Sequence, residues 1–283
     1  MKEKRSFQID ANVISKAVES LVGDKIPQRI LTGFPDLDDI LGDIRKGELI
    51  VLGGRPAMGK TAFALSLMIN TSIWDNKPVL CISKDVPKQR LTERLIQMFA
   101  GVIYNFENEE DYADKINSAV EEVHQARIHI EDSTSISVDE IEDVIRECEE
   151  SPSIIIVDNI PFSDVEENDE DKMISSVQKL KELAKKYGCV VMALTQLSRN
   201  VESRKDRRPV LSDLRDHNNI EEIADKIIFL YRDEYYDRNS KWKGIAEAIV
   251  VKNTNGQTGV AKLAFLPEYV RFCSLERKSA DSK

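Results

Sequence analysis

The sequence predicts an α/β fold, a mostly parallel sheet covered by helices on both faces and closed by an antiparallel hairpin. Two observations predict it. Short apolar runs alternate with longer segments in which apolar residues return at helical spacing, the pattern of strands joined by crossover helices. The last two apolar runs follow each other with no long helix between them, which calls for a hairpin rather than a crossover.

Taken in order, residues 9–21 carry Ile9, Val13, Ile14, Ala17, Val18 and Leu21 on one helical stripe, which must pack on something. Residues 25–31, with Pro27, read as a linker, so that a linker region (1–31) precedes a domain at 32–276 and a polar tail at 277–283. A short helix is expected at 36–41, stopped by Gly42. Strands are expected at 48–53, 78–82, 128–130, 154–158, 189–194, 226–231, 246–252 and 260–265. Helices are expected at 60–70, 88–100, 138–149 and 169–187. Ser137 and Glu140 form a capping-box pair before the third, and Gly188 stops the fourth.

With 41% hydrophobic residues among 283, the chain can build a proper core, which excludes disorder. Its formal charge of −10 excludes a surface that is basic all over, so any nucleic-acid contact must come from a local patch. No apolar run approaches the ~20 residues of a membrane span, and a cytoplasmic protein is expected. Cys81, Cys148, Cys189 and Cys273 lack CxxC spacing, and His124, His129 and His217 lie far from any cysteine pair; reduced thiols without a zinc site are the reading.

Gly54-Arg55-Pro56-Ala57-Met58-Gly59-Lys60-Thr61 fits G-x-x-x-x-G-K-[ST], follows an expected strand and opens an expected helix. Such a loop turns backbone N–H groups toward phosphates, Lys60 neutralises their oxygens, Thr61 offers a hydroxyl to Mg²⁺, and the helix N-terminus adds a favourable dipole. ATP and Mg²⁺ are therefore the expected ligands. Ile154-Ile155-Ile156-Val157-Asp158 is a buried strand ending in a carboxylate, where the ligands of an open parallel sheet collect. The dense basic cluster Arg199, Arg204, Lys205, Arg207 and Arg208 reads as a DNA or phosphate contact, or as a solvated loop.

Further runs carry a resemblance. Thr32-Gly33-Phe34 with Leu37-Asp38, the phosphate loop, Leu194-Thr195-Gln196-Leu197-Ser198-Arg199, Leu211-Ser212-Asp213-Leu214-Arg215, Phe229-Leu230-Tyr231-Arg232-Asp233-Glu234-Tyr235-Tyr236 and the hairpin with Lys252, Asn255, Gly256, Thr258 and Gly259 resemble the motor domain of DnaB-type replicative helicases. The resemblance implies a RecA-like core, a hexameric ring around single-stranded DNA, and ATP hydrolysis at subunit interfaces. By it, Lys60 and Thr61 bind phosphate and metal, Asp158 holds Mg²⁺, Gln196 senses the γ-phosphate, and Arg232 and Lys252 meet nucleotide, Lys252 that of a neighbour. Arg215, Asp216 and Asn218 fall at the DNA-facing pore. The stripe at 9–21 matches the family's linker helix, though packing within its own chain fits equally. No counterpart of the family's primase-binding N-terminal domain is expected here.

The resemblance also has gaps. Asp85 stands where the family has a catalytic Glu, its carboxylate withdrawn by about 1.5 Å, one C–C bond. Thr254 stands where the family has a trans-acting arginine finger, and such fingers are worth about 10³ to 10⁵ in rate. Asn218 replaces a pore-loop glycine. The acidic stretch 164–171 occupies a region the family uses toward DNA, or else is a solvated helix cap favoured by the dipole. A motor working with a helicase loader is the leading reading; a weakened relative that binds ATP and regulates or caps a true replicative helicase is the alternative.

Overall fold

The computed structural model describes residues 30–102, 109–133, 137–159, 170–214 and 220–275. The stripe at 9–21, most of the acidic stretch, Arg215, Asp216, Asn218 and the tail lie outside the described residues. One sheet organises the rest. Its strands are β1 (Leu49–Gly54), β2 (Val79–Ser83), β3 (Ile128–Asp132), β4 (Ile154–Asp158), β5 (Val190–Gln196), β6 (Lys226–Tyr231), β7 (Ile245–Asn253), β8 (Gly259–Leu266) and β9 (Arg271–Ser274), in the order β3-β2-β4-β5-β1-β6-β7-β8-β9. From β3 to β6 every pairing is parallel; from β6 to β9 every pairing is antiparallel.

Successive side chains of a strand point to opposite faces, so the parallel strands feed two cores. Ile50 and Leu52 of β1 join Phe34, Phe63, Leu91, Leu95, Phe265 and Phe272 on one face, while Leu49 and Val51 join Ile141, Ile145, Val177, Leu180 and Phe229 on the other. The covering helices are α1 (Pro35–Leu41), α2 (Lys60–Met68), α3 (Lys88–Ala100), α4 (Glu109–Gln125), α5 (Val138–Glu147) and α6 (Glu170–Tyr187), followed by the single turns α7 (Ile220–Ile223) and α8 (Asp233–Tyr236). An α/β sheet with helices and an antiparallel end is thus found as expected.

Differences concern ends and elements not expected from the sequence: helix α4, strand β9, the single turns α7 and α8, and short 3₁₀ turns. Helix α2 stops at Met68 and continues as a π turn, Ile69–Trp74. Helix α5 ends at Glu147 rather than 149, and its capping box is made: Glu140 N donates to Ser137 Oγ at 3.2 Å while Ser137 N donates to Glu140 Oε2 at 2.5 Å. Helix α4 was passed over in the sequence reading although Tyr112, Ile116, Ala119, Val120 and Val123 recur at helical spacing, and of these Ala119 is buried. Strand β9 escaped it because four residues are too short a run, yet Phe272 is buried against Phe63 and Phe265.

The Thr32, Gly33 and Asp38 motif is architectural. Thr32 N and Oγ1 both donate to Asp38 Oδ1 at 2.7 Å, and Gly33 N donates to Oδ2 at 3.1 Å, pinning the turn that seats Phe34.

At the amino ends of the parallel strands lies a buried ionic knot. Lys226 is fully buried, with Nζ 3.4 Å from Glu48 Oε2 and donating to Asn253 Oδ1 at 2.8 Å. Asn255 Nδ2 donates to Glu48 Oε1 at 2.9 Å. Breaking a buried pair leaves an uncompensated charge, whereas replacing both members by apolar groups of similar size is close to neutral. Lys226→Met is therefore expected to lower the unfolding free energy in urea by about 3 to 5 kcal/mol, and Lys226→Met with Glu48→Leu to recover much of it. A single variant as stable as the parent would show that the pair is not desolvated in solution.

Candidate nucleotide site and basic loop

Every residue of β1 is buried, and the strand ends in Gly53-Gly54 for a steric reason. A Cβ on Gly53 would stand 2.8 Å from the ring of Phe229 on β6. The loop that follows turns through two left-handed residues, Ala57 (φ 63°) and Gly59 (φ 96°). Gly59 caps α2 without a side-chain hydrogen bond, so the first N–H groups of that helix face outward as an anion site.

Lys60 lies across this loop, its Nζ donating to Gly54 O at 2.9 Å and Arg55 O at 3.3 Å. Thr61 Oγ1 donates to Asp158 Oδ2 at 2.7 Å, which brings the carboxylate at the end of β4 to the first turn of α2. Two hard oxygen donors converging here, beside an ammonium and a row of free amides, fit Mg²⁺ held together with substrate phosphates. Burial pushes the Asp158 carboxyl upward, the Thr61 bond and Lys60 pull it down, and nearby Asp85 pushes it up again.

Asp85 is exposed in the turn after β2, a turn closed by Ser83, whose Oγ donates to Val86 O at 2.7 Å. Asn159 Nδ2 donates to Asp85 Oδ2 at 3.5 Å. Ser83 pairs with Asp158 across neighbouring strands, so the turn carries Asp85 to the same end of the sheet as the loop. Gln196 is the exposed last residue of β5, in register with Gly54, and Leu197 N donates to Gly54 O at 3.2 Å. Arg232, after β6, reaches the loop from the other side: Nη1 donates to Ala57 O at 3.3 Å, the guanidinium lies 3.8 Å over the Phe265 ring, and Glu234 pairs with it at 2.5 Å. The structure thus gathers Gly54 to Thr61, Asp85, Asp158, Gln196 and Arg232 at one end of the sheet.

It does not gather Lys252 there. Lys252 pairs with Ile227 and Asn253 with Lys226, at the amino end of β6, so Lys252 and Thr254 lie at the opposite end of the sheet from their own phosphate loop. Lys252 Nζ donates to Glu221 O, and Thr254 donates through both N and Oγ1 to Asp225 O at 2.9 Å.

The basic cluster divides. Arg204 grips both carboxylate oxygens of Asp213 at 2.6 and 2.8 Å, and Arg208 grips both of Glu247 at 2.6 and 2.8 Å while lying 4.7 Å over the Tyr231 ring. Arg207 stacks instead on Tyr236, at 4.9 Å. Among the described residues, no carboxylate pairs with Arg207, Arg199 or Lys205, which leaves these three to meet an outside anion. Sequence reasoning passed over Asp213 and Glu247 as partners, and over Glu202, whose Oε1 accepts from Arg55 Nε at 2.9 Å. An acid remote in sequence gives no local sign that it neutralises a particular arginine.

Burial lowers the Lys60 amine to about 8, although Asp158 opposes the shift. Since the unfolded chain holds this proton to higher pH, the cost of burying the charge is fully present below about 8 and is relieved as pH rises toward the ordinary lysine value. Competitive acetylation followed by mass spectrometry should show Lys60 half-titrated near pH 8, and at still lower pH in Asp158→Asn, where the attracting carboxylate is gone. A midpoint like that of exposed lysines would refute the buried geometry.

Residues 29–274 match the family model described as the DnaB-like helicase C terminal domain. The chain is 35% identical over 262 residues to the replicative DNA helicase DnaB of Geobacillus stearothermophilus, spanning 88% of this chain and 57% of that protein. It is 34% identical over 266 residues to the replicative DNA helicase DnaC of Bacillus subtilis (strain 168), spanning 89% and 58%. It thus covers little more than half the length of these relatives. Among solved structures, one described as an ATPase domain superposes with a TM-score of 0.82 at 31% identity, covering 96% of this chain and all of that one. A DnaB-like replicative helicase, solved in a study of its interactions with primase, gives 0.82 at 31%, covering 98% and 69%. The RadB recombinase shares the fold alone, at 16% identity and a TM-score of 0.57. With the phosphate loop, the Thr61–Asp158 contact and the Gln196 register at one end of the sheet, the chain belongs to the DnaB-like helicase C-terminal domain family.

Proposed function

We propose that this chain is an ATP-hydrolysing motor that assembles into a hexameric ring around single-stranded DNA and moves along it during replication. The observation that carries the reading is the convergence of Lys60, Thr61, Asp158 and Gln196 on the end of β1, in a chain of this family. The loop of Gly54, Arg55, Pro56, Ala57, Met58, Gly59, Lys60 and Thr61 holds the phosphates, through the Lys60 ammonium and through backbone N–H groups, of which Pro56 has none. Thr61 and Asp158 hold Mg²⁺, which supplies positive charge against the transferring phosphoryl group. Asp85 orients the attacking water, Gln196 senses the γ-phosphate, and Arg232 borders the nucleotide. Arg207 and Arg215 serve DNA by phosphate contacts that need not read bases, Asp216 and Asn218 shape the segment that carries Arg215 to it, and Arg208, held by Glu247, sets the place of the loop beside them. The place of Lys252 favours a neighbour's nucleotide, since its own loop is at the far end of the sheet.

A second reading has its own support. Thr254 carries no charge and spends its hydroxyl on Asp225 O, and Asp85 is one methylene shorter than the family's Glu. Two weakened catalytic parts together favour a relative that binds ATP and regulates or caps a true replicative helicase.

ATPase turnover with and without oligo-dT, measured where assembly is followed by light scattering, tests the motor. DNA-stimulated turnover is expected, and Lys60→Ala should lower it by at least about 10²-fold, because it removes charge that stabilises the transition state. Turnover unchanged in that variant would remove the reading. The two readings part on Asp85→Glu with Thr254→Arg. Residues acting on one transition state couple non-additively, so the pair should exceed the product of the single gains, by about tenfold or more in total, and only above the concentration at which subunits associate. A parent already as fast as the double variant would dismiss the regulator.

A further inference from the structure

Arg55 is the second residue of the phosphate loop, yet its side chain turns away from the loop's interior. It is 7% exposed, with Nε on Glu202 Oε1 at 2.9 Å and Nη1 on Leu197 O at 2.8 Å. Its own carbonyl accepts from Lys60 Nζ, and the preceding carbonyl, Gly54 O, accepts from Leu197 N. The loop and the segment just after Gln196 are therefore tied at three points, two of them through one planar guanidinium. A lysine could not make both bonds in fixed directions.

The tie continues away from the nucleotide. Glu202 lies in the 3₁₀ turn Arg199–Ser203, and the next residue but one, Arg204, grips Asp213 with two bonds and Arg208 O with a third, at 2.9 Å. Asp213 also accepts from Val210 N at 2.7 Å. Residues 204–213 thus form a closed, internally bonded piece, leading in sequence straight to Leu214 and Arg215. Tyr236 adjoins both parts: its ring carries Arg207 at 4.9 Å, and its hydroxyl, raised first by burial, is pushed further up by Glu202 and pulled down by Arg55. Glu202 is 40% exposed, and burial of apolar surface does not explain its place.

We infer that the Arg55–Glu202 pair is a strut through which the phosphate loop and the 199–213 loop move as one, so that nucleotide and single-stranded DNA strengthen each other's binding. Arg55 and Glu202 are positioning residues here; neither need touch DNA. The inference rests on the motor reading above and adds the joint that links its two ligands. Because coupling between two sites is reciprocal, it can be read from either ligand.

The test measures the affinity of a non-hydrolysable ATP analogue with and without saturating oligo-dT, in the assembled protein, for the parent, Glu202→Ala, Arg55→Lys and the double variant. The ratio of the two affinities is the coupling factor. The strut predicts that Glu202→Ala lowers this factor by about fivefold or more, the lower end of ordinary couplings, while DNA-free nucleotide affinity stays close to the parent's, whatever the thermal midpoint loses by leaving Arg55 without its carboxylate. Arg55→Lys should lower the factor as much, whatever it does to affinity itself, and the double variant should lower it no further, since both changes remove one link. A coupled parent whose variants keep the same factor overturns the strut and leaves the motor reading standing. A fall in midpoint, or in nucleotide affinity, that leaves the factor unchanged shows a merely structural contact and also overturns it. A parent with no coupling overturns the strut and the motor reading together.

Discussion

Strand β1 is hydrogen-bonded on both edges and buried on both faces, and the chemistry of the molecule depends on that confinement. A strand held on four sides cannot shift its register without moving two cores, so the loop leaving its carboxyl end starts from a fixed point. Phe229 occupies the space a side chain on Gly53 would take, and a Cβ on Gly54 would stand 3.3 Å from Leu230 O. The neighbours β5 and β6, fixed by the same pairing, then deliver Gln196 and Arg232 to either side of the loop, and β4 delivers Asp158 from beyond β5.

Charge is distributed along the same axis. At the amino ends of the strands, Lys226 with Glu48 and Lys181 with Asp225 hold the hairpin between β7 and β8 and the start of β1 together. At that end each of these charges has a partner of opposite sign. At the carboxyl ends Lys60 lies against carbonyls and is attracted by Asp158, whose own proton affinity is raised by burial. An arrangement in which desolvation lowers the amine and raises the acid is relieved by polyanion and cation together, which is the physical argument for a metal–nucleotide ligand.

The hairpin that the family resemblance ties to catalysis stands at the wrong end of the sheet to serve its own loop. Antiparallel pairing of β7 with β6 returns the chain to where β6 began, which makes this placement unavoidable. On the proposed reading a single chain therefore carries half of each of two sites, and ring assembly completes them. Thr254, bonded to Asp225 O, contributes to the hairpin's shape without adding the charge that such an interface could use.

By itself the sequence determined what depends on local spacing. The phosphate loop, the strand that precedes it, the helix that follows, the strand ending in Asp158, the Ser137 capping box and the antiparallel end of the sheet all rest on residues a few positions apart, and backbone geometry reads such patterns directly. Helix α4 was legible in the same way, by the stripe Tyr112, Ile116, Ala119, Val120 and Val123, though it was passed over; β9 was not, because a four-residue run carries too little pattern. Tertiary structure alone decided the fate of the arginines. Arg208 meets Glu247 across 39 residues and Arg55 meets Glu202 across 147, so which cations remain for DNA or phosphate depends on distances that folding creates between remote segments. The same holds for Lys252, whose type suggests a phosphate ligand and whose distance from its own loop is set by strand direction, a property of the assembled sheet that no local run of residues encodes.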